Sequence, residues 1–186
     1  IINTYNYSGE GWGLCTMSDF FVMSNGSSEL VFRDLETFEL VHVINVTRNG
    51  TPVPYLNELE CVDNLIYSNV WMTNEIIAID SESGKIVKSI DASNLINYSV
   101  YEDANVLNGI AYNQEKSNFW ITGKYWPYLF QVKFEENQEM NSTLQIPDSE
   151  VDTSSNLENN NSLFDSDVFM NMTYIFLMAL IVIWLI

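Results

Sequence analysis

A repeat of 44 to 46 residues constrains the fold of this chain more than any other feature of its sequence. Each copy reads as three short strands, rich in Val, Ile, Phe and Tyr, separated by turn residues and followed by an outer strand. The matching segments are Ser24-Asn25 then Glu29–Asp34, Ser68-Asn69 then Glu75–Asp80, and residues 119–123 then 129–132, with outer strands at 39–46 and 86–90. Units of four strands with a period of about 40 to 50 residues are typical of propeller blades. The repeat therefore predicts an all-β fold, a β-propeller, over residues 1–134.

Three blades are too few to close a propeller ring, which takes about four to eight. An open array would expose unpaired blade faces and sheet edges. The sequence starts at Ile1 without Met, a charged start or a signal peptide. We therefore expect one or two further blades ahead of Ile1.

The chain is strongly acidic, with 25 Asp and Glu against 7 Lys and Arg and a formal net charge of −18. This balance argues against nucleic acid as a partner, because phosphate binding needs clustered cations. A negative surface attracts cationic ligands, such as a peptide with a free amino terminus. It also keeps a protein soluble, and that simpler interpretation is the favoured one.

Residues 135–167 form an acidic spacer without Lys or Arg, and its Asn- and Ser-rich part predicts disorder. Residues 168–186 are apolar except for Asn171 and Thr173, and this run approaches the roughly 20 residues of a membrane-spanning helix. No cation follows it. Two interpretations stay open: a signal for a glycolipid (GPI) anchor attached at Ser154-Ser155-Asn156, or a retained C-terminal hydrophobic helix.

Eight Asn residues carry Ser or Thr two positions later, which is the acceptor pattern of N-glycosylation. They are Asn6, Asn25, Asn45, Asn49, Asn97, Asn141, Asn160 and Asn171. Together with the hydrophobic tail, they indicate the secretory pathway and the extracellular face of a membrane.

Cys15 and Cys61 are the only cysteines, and they fall at equivalent positions of two adjacent repeats. They can therefore lie close together in neighbouring blades, although free thiols are the favoured interpretation and a disulfide the alternative. No His neighbours either thiol, which argues against a cysteine nucleophile.

Candidate functional residues stand at the start of each repeat, because propellers place functional groups on the innermost strands and the loops beside them. Three clusters combine polar groups with Trp or Gly: residues 9–13, residues 56–60 with 69–71, and residues 107–109 with 122–127. Aromatic walls with a few placed polar groups are what a small-ligand pocket needs. Any single cluster is better explained by blade packing and turn capping, but three at equivalent positions favour a site. We expect a structural role for His42, the only histidine.

Five short motifs stand in order from about Tyr7 to Phe134. They are Glu10-Gly11-Trp12-Gly13-Leu14, Leu56-Asn57-Glu58-Leu59-Glu60, Asn69-Val70-Trp71, Val-Leu-Asn-Gly-Ile-Ala-Tyr at 106–112, and Thr122-Gly123-Lys124. In series they closely resemble the glutaminyl-peptide cyclotransferases of plants and bacteria, which are five-bladed propellers. The resemblance implies that the chain holds about three C-terminal blades of such a ring. It also implies an acyltransferase that converts an N-terminal glutamine to pyroglutamate.

In the reaction that this resemblance implies, the α-amine of the glutamine attacks its own γ-amide carbon, and ammonia leaves. Because the reaction is intramolecular, holding the substrate in a near-attack shape contributes much of the rate. The site must also supply a base, an acid and an oxyanion donor. The resemblance implies four catalytic residues: Lys124 near the carbonyl oxygen or orienting a carboxylate, Asn57 bonding the substrate, and Glu10 and Glu58 as partners for the ammonium.

The substrate-binding residues, by the same resemblance, are the pocket walls Trp12 and Trp71 and the supports Asn108 and Trp126. No cofactor is required for this chemistry, and the sequence leaves a structural metal ion open. The expected partners are a peptide or protein N-terminus that begins with Gln and, through the tail, a membrane.

One departure from the family pattern concerns the acid/base glutamate, which the family carries in a Phe-Gly-Glu-Gly motif of an earlier blade. That motif is absent from this chain, so we expect the 186 residues by themselves to be inactive. Glu10 has a similar Gly-Glu-Gly setting, which reflects the repeat and does not qualify it as a substitute. The alternative functions are a non-catalytic, surface-displayed propeller that binds peptides or a protein partner, and a remnant that never closes its ring.

Overall fold

A computed structural model describes residues 1–134, which form three antiparallel β-sheets and one short hairpin. Sheet A contains β1 (Gly13–Met17), β2 (Phe20–Ser24), β3 (Glu29–Asp34) and β4 (Leu40–Asn45), and the hairpin contains β5 (Thr47–Arg48) and β6 (Thr51–Pro52). Sheet B contains β7 (Leu56–Val62), β8 (Leu65–Val70), β9 (Glu75–Asp80) and β10 (Ile86–Asp91). Sheet C contains β11 (Leu107–Asn113), β12 (Asn118–Gly123) and β13 (Phe130–Val132). In each sheet the strands pair in chain order, so the described part of the protein is an all-β, propeller-like array.

The strands predicted from the repeat agree closely with those of the structure. The third strands of the first two repeats have the predicted bounds. The outer strand β4 is one residue shorter than predicted at each end, and β10 is one residue longer at its C-terminal end. No helix within residues 1–134 has the length and apolar character to cross a membrane. The predicted spacer at 135–167 and the hydrophobic tail at 168–186 lie outside the described residues.

Sheet B lies between the other two sheets, and the third strands show why. Ile76 to Ile79 form a continuous apolar run in β9, and all four side chains are buried. In β3, the buried Leu30 and Phe32 alternate with the partly exposed Val31 and Arg33. Because successive side chains of a strand point to opposite faces, a continuous apolar run needs cover on both faces and an alternating one needs it on a single face.

Two apolar clusters hold the three sheets together. The cluster between sheets A and B includes Val22, Leu30, Phe32, Leu59, Ile66, Ile77 and Ile79. The cluster between sheets B and C includes Tyr67, Ile76, Ala78, Ile110, Phe119, Ile121 and Phe130. Burial of these side chains is the main contribution to the stability of the array.

The innermost strands β1 and β7 approach closely at Gly13. A Cβ atom at this position would overlap the carbonyl oxygen of Asn57 and lie 2.9 Å from the Cα of Glu58. Main-chain atoms cannot turn away, so we expect Gly13→Ala to lower the free energy of unfolding by about 2 kcal/mol in urea denaturation. The matched control is Gly109→Ala, because its Cβ would meet the rotatable methyl of Thr122 instead. An equal loss in both variants would contradict this interpretation.

Cys15 and Cys61 form a disulfide that joins β1 to β7. The favoured interpretation of free thiols is therefore wrong. Equivalent positions on adjacent inner strands bring the two Cα atoms to 5.6 Å, which lies within the usual range for a disulfide.

Candidate functional site

The inner strands of sheets B and C both begin with a β-bulge, and the bulges carry predicted site residues. The register of β7 on β8 shifts by one residue, so that Asn57 and Glu58 lie opposite Asn69. The register of β11 on β12 shifts at the same place, where Asn108 and Gly109 lie. A bulge bends a strand and turns its side chains, which is one reason why bulges recur beside functional sites.

Two predicted wall residues meet where sheets A and B adjoin. The rings of Trp12 and Trp71 pack edge to face, with their centroids 5.6 Å apart. Trp12 Nε1 donates a hydrogen bond to Glu10 Oε2 at 2.8 Å, which holds the indole in place. The structure therefore brings together Trp12, Trp71 and Glu10 at this junction.

Gly26 allows the Trp12 indole to occupy its position. A Cβ atom on Gly26 would lie 2.6 to 2.8 Å from three atoms of the indole, and the residue has a φ of +81°. Gly26 is also bonded to the segment that leads into β7, since Gly26 N donates to the oxygen of Leu56 at 3.2 Å and Tyr55 N donates to the oxygen of Gly26 at 2.9 Å. The turn after β2 thus fixes the wall residue relative to the bulge of β7.

Asn57 is buried at the start of β7, with 6% of its surface exposed. Its carbonyl oxygen accepts a hydrogen bond from Ser24 Oγ at 2.6 Å. Its side-chain amide has no hydrogen-bond partner among residues 1–134. Its amide atoms are not among the fully buried unpaired atoms, so they keep access to solvent and can bond a ligand.

A cavity of about 360 Å³ opens between Trp12, Glu58 and the segment ahead of β1. Tyr7, Met23 and Phe38 complete much of its apolar lining. This volume lies within the range of small-molecule sites. Sequence reasoning missed Tyr7 and Phe38, because only the folded chain brings them to the cavity.

The Tyr7 ring is held over sheet A by two contacts. The guanidinium carbon of Arg33 lies 5.5 Å from the ring centre, and the Phe38 ring lies 5.9 Å away, edge to face. A cation near an aromatic ring is attracted by the electrons of its face. The segment ahead of β1 is thereby fixed as one wall of the cavity.

Two carboxylates of β7 have pKa values above their usual range. Burial is the main cause for Glu58, and the negative charge of Glu60 raises the pKa of Glu58 further. Burial also raises the pKa of Glu60, although a hydrogen bond from Tyr112 N at 2.9 Å opposes that shift. A carboxyl group with a raised pKa binds a proton more readily near neutral pH, which is useful beside a substrate amine.

The raised pKa of Glu58 predicts how stability depends on pH. A folded state that holds a proton more tightly than the unfolded chain is favoured at low pH, and it loses that advantage as the pH rises through the folded pKa. We therefore expect Glu58→Gln to flatten the fall in unfolding free energy between acidic and neutral pH. Urea denaturation across this range measures the slope, and Glu29→Gln, at an exposed glutamate, is the control. Parallel pH profiles for wild type and Glu58→Gln would contradict the prediction.

Asn108 lies near the start of β11 in sheet C, and Lys124 lies just beyond β12 at the same end of that sheet. Lys124 follows β12, its N–H donates to the oxygen of Val106 at 2.9 Å, and its oxygen accepts from Asn105 N at 2.8 Å. The Lys124 side chain is exposed and forms no ion pair within residues 1–134. The Oδ1 of Asn108 is buried and has no hydrogen-bond partner in that same range. Among residues 1–134, no hydrogen bond, ion pair or ring contact joins these residues to Trp12, Trp71 or Asn57, although their strands β7 and β11 lie next to each other.

Trp126 lies in the apolar cluster between sheets B and C, 8% exposed. Its Nε1 donates to the oxygen of Asn105 at 2.7 Å, and its ring packs over Gly123 and against Phe130. These contacts fit the expected support function. Direct binding of a substrate by Trp126 stays a prediction.

Metal binding has no obvious place in the described part of the chain. Among residues 1–134, no three His, Cys, Asp or Glu side chains are grouped so that they could hold an ion. The expectation that no cofactor is required stays a prediction.

Antiparallel sheets packed face to face define a propeller-like protein, and the cavity beside Trp12 and Glu58 is its candidate small-molecule site. The family model for glutamine cyclotransferase matches residues 1–134. The chain therefore belongs to the glutamine cyclotransferase family, as the resemblance implied.

Two relatives agree with this assignment. The chain is 36% identical over 130 residues to the glutaminyl-peptide cyclotransferase of Arabidopsis thaliana, a match that covers 68% of this chain and 41% of the relative. It is also 40% identical in sequence to Myxococcus xanthus glutaminyl cyclase, whose crystal structure superposes with a TM-score of 0.66. This match covers 70% of this chain and 58% of the bacterial one. The chain thus spans about two fifths of the plant protein and somewhat over half of the bacterial structure.

Proposed function

We propose that this protein is a glutaminyl-peptide cyclotransferase, which converts the N-terminal glutamine of peptides or proteins to pyroglutamate with release of ammonia. Family membership over residues 1–134 carries the proposal. The cavity lined by Trp12 and Glu58 and the packing of Trp12 against Trp71 support it, because a small-ligand site needs aromatic walls with a few polar groups.

We propose that sheets A, B and C belong to a five-bladed ring. The outward faces of the two end sheets support this interpretation. In sheet A, Leu14 is 50% exposed and Val43 is 41% exposed. In sheet C, Ala111 is exposed and Trp120 is only partly covered. Two further sheets packed against these faces would bury them and close the ring.

In the proposed reaction, the α-amine nitrogen forms a bond to the γ-amide carbon, and the bond from that carbon to the amide nitrogen breaks. The attacking amine loses a proton and the departing nitrogen gains one, so that ammonia leaves. Trp12 and Trp71 would enclose the glutamine side chain. Asn57 would bond it, Lys124 would stabilise the oxyanion, and Glu10 and Glu58 would bind the ammonium before it is deprotonated.

The proposed function is tested with two proteins. One is the 186-residue chain, and the other is this chain joined to the part of the Myxococcus enzyme that it does not match. Each is incubated with a peptide that begins with Gln, and ammonia release is followed. The same peptide with an acetylated N-terminus is the control, because it lacks the attacking amine.

Cyclisation of the free peptide by either protein, with none for the acetylated one, supports the proposal. Release no faster than the spontaneous rate in both proteins rejects it. Binding of the free peptide without turnover by both proteins favours the alternative, a non-catalytic peptide-binding propeller. Undiminished turnover after dialysis against a chelator supports a reaction without a metal cofactor.

We further propose that the protein follows the secretory pathway. The Cys15–Cys61 disulfide supports this, because such bonds persist in oxidising compartments. Four acceptor residues of N-glycosylation sites are exposed in the structure: Asn6, Asn45, Asn49 and Asn97. Asn49 lies with Gly50 at the tip of the β5–β6 hairpin, where both residues have positive φ.

Glycosylation at this hairpin is a specific prediction. On secretion from a eukaryotic host, we expect Asn49→Gln to remove one glycan, seen as a single mobility step that matches partial glycosidase digestion. Asn64→Gln, at an exposed asparagine outside any acceptor pattern, should leave mobility unchanged. Identical mobility of wild type and Asn49→Gln would contradict the prediction.

We propose that the tail at 168–186 holds the protein at the outer face of a membrane. Its apolar composition supports either a glycolipid anchor signal or a retained helix. Release of the protein from membranes by a phosphatidylinositol-specific phospholipase would indicate the anchor. Retention after this treatment would indicate the helix, and protein found free of membranes would reject both.

A further inference from the structure

Two buried polar side chains, Ser24 and Asn69, cross from one sheet to the bulge of the next inner strand. Ser24 ends β2 in sheet A, and its Oγ donates to the carbonyl oxygen of Asn57 at 2.6 Å. Asn69 lies near the end of β8 in sheet B, and its Oδ1 accepts from Gly109 N at 3.0 Å. Both crossing residues are 0% exposed. A hydrogen bond from a buried side chain to a main-chain group of a bulge thus joins sheet A to sheet B, and another joins sheet B to sheet C.

These two bonds fix main-chain groups inside the bulges, where the register of the sheets is interrupted. A bulge takes one residue out of the hydrogen-bonded ladder, so its peptide groups need other partners when they are buried. Ser24 holds the peptide between Asn57 and Glu58, and Asn69 holds the peptide between Asn108 and Gly109. The direction of the peptide sets the direction of the side chains on either side of it.

A comparison with Ser68 distinguishes the Ser24 hydrogen bond from ordinary packing. Ser68 is as buried as Ser24, yet its hydroxyl bonds only to the oxygen of the next residue at 3.1 Å.

We infer that Ser24 and Asn69 are positioning residues of the site, which aim Asn57 and Glu58 in one bulge and Asn108 in the next. This inference rests on the proposed cyclotransferase function. The two residues act through the main chain and need not touch the substrate.

The rate of cyclisation tests the role of Ser24. It is measured in whichever of the two proteins described above cyclises the peptide. Loss of a buried hydrogen bond predicts that Ser24→Ala lowers kcat about tenfold while KM stays within about twofold. Ser24→Thr keeps a hydroxyl and should restore most of the rate. Ser68→Ala, at the matched buried serine, should turn over like wild type. Normal kcat in Ser24→Ala, or an equal fall in Ser68→Ala, would overturn the inference.

Amide hydrogen exchange tests the role of Asn69, and this measurement does not require an active enzyme. In the isotope-labelled 186-residue chain, Asn69→Leu should speed exchange at Gly109 N–H by about tenfold or more, because the amide loses its acceptor. Asn118→Leu replaces another buried asparagine of a second strand and should leave Gly109 unchanged. Unaltered Gly109 exchange in Asn69→Leu overturns the inference whether or not the peptide is cyclised. Failure of the wild-type proteins to cyclise it rejects the proposed function instead.

Discussion

Replacing both cysteines, Cys15→Ala together with Cys61→Ala, is expected to lower the free energy of unfolding by about 4 kcal/mol. The bond spans 46 residues of sequence, so it removes much of the freedom of the unfolded chain. Domains are usually stable by about 5 to 15 kcal/mol, and the loss would therefore take a large share of the total. Urea denaturation without reductant measures it as a lower midpoint.

Reduction provides the control for the cysteine variant. Wild-type protein in reductant should lose nearly as much stability as the double variant, and reductant should not affect the double variant. Because wild-type thiols keep their sulfur atoms, any excess loss in the double variant reports packing around Cys15, which is 8% exposed. A change below about 1 kcal/mol on reduction would contradict a structural role for the bond.

The sheets could be predicted from the sequence because their signals are local. Glu75–Asp80 contains four consecutive apolar residues, and the matching segment one repeat earlier, Glu29–Asp34, contains three. Strand formation depends on such runs and turns, and the period then indicates which strands share a sheet. Several strand bounds shifted by one residue, because strand ends depend on pairing with a neighbour.

The disulfide could not be predicted with the same success. Equivalent repeat positions suggested that Cys15 and Cys61 can lie close together. The distance of 5.6 Å between their Cα atoms, however, depends on how tightly β1 and β7 pack. That approach depends in turn on Gly13, whose missing side chain leaves room for the main chain of Asn57. Packing distance between repeats is not encoded in a repeat length.

The candidate site was predicted in part. The sequence identified Trp12 and Trp71 as wall residues, and the structure packs their rings together. It missed Tyr7, which reaches the cavity only because Arg33 and Phe38 hold its ring over sheet A. It also did not foresee the bulges, since register depends on hydrogen bonds between distant strands.

Removing the amide of Asn57 or the charge of Lys124 is expected to lower kcat/KM for a Gln-initiated peptide by about a hundredfold. Asn57→Ala would remove the amide that has no partner among residues 1–134, and Lys124→Ala would remove the cation proposed to stabilise the oxyanion. Ammonia release under single-turnover and steady-state conditions measures the loss. Thermal unfolding of each variant shows whether the fold is retained.

Matched controls lie at the opposite end of sheet C, in and beside the turn between β11 and β12. Lys116 is exposed like Lys124, and Asn118 is 7% exposed against 6% for Asn57, so Lys116→Ala and Asn118→Ala repeat the chemical changes away from the site. If the site lies where the inner strands begin, the two control variants keep wild-type kcat/KM while the two site variants lose it. Near-normal rates in Asn57→Ala and Lys124→Ala would reject their catalytic assignment. Equal losses in all four would mean that turnover follows the stability of the sheets, because only a general loss of folding is shared by both ends.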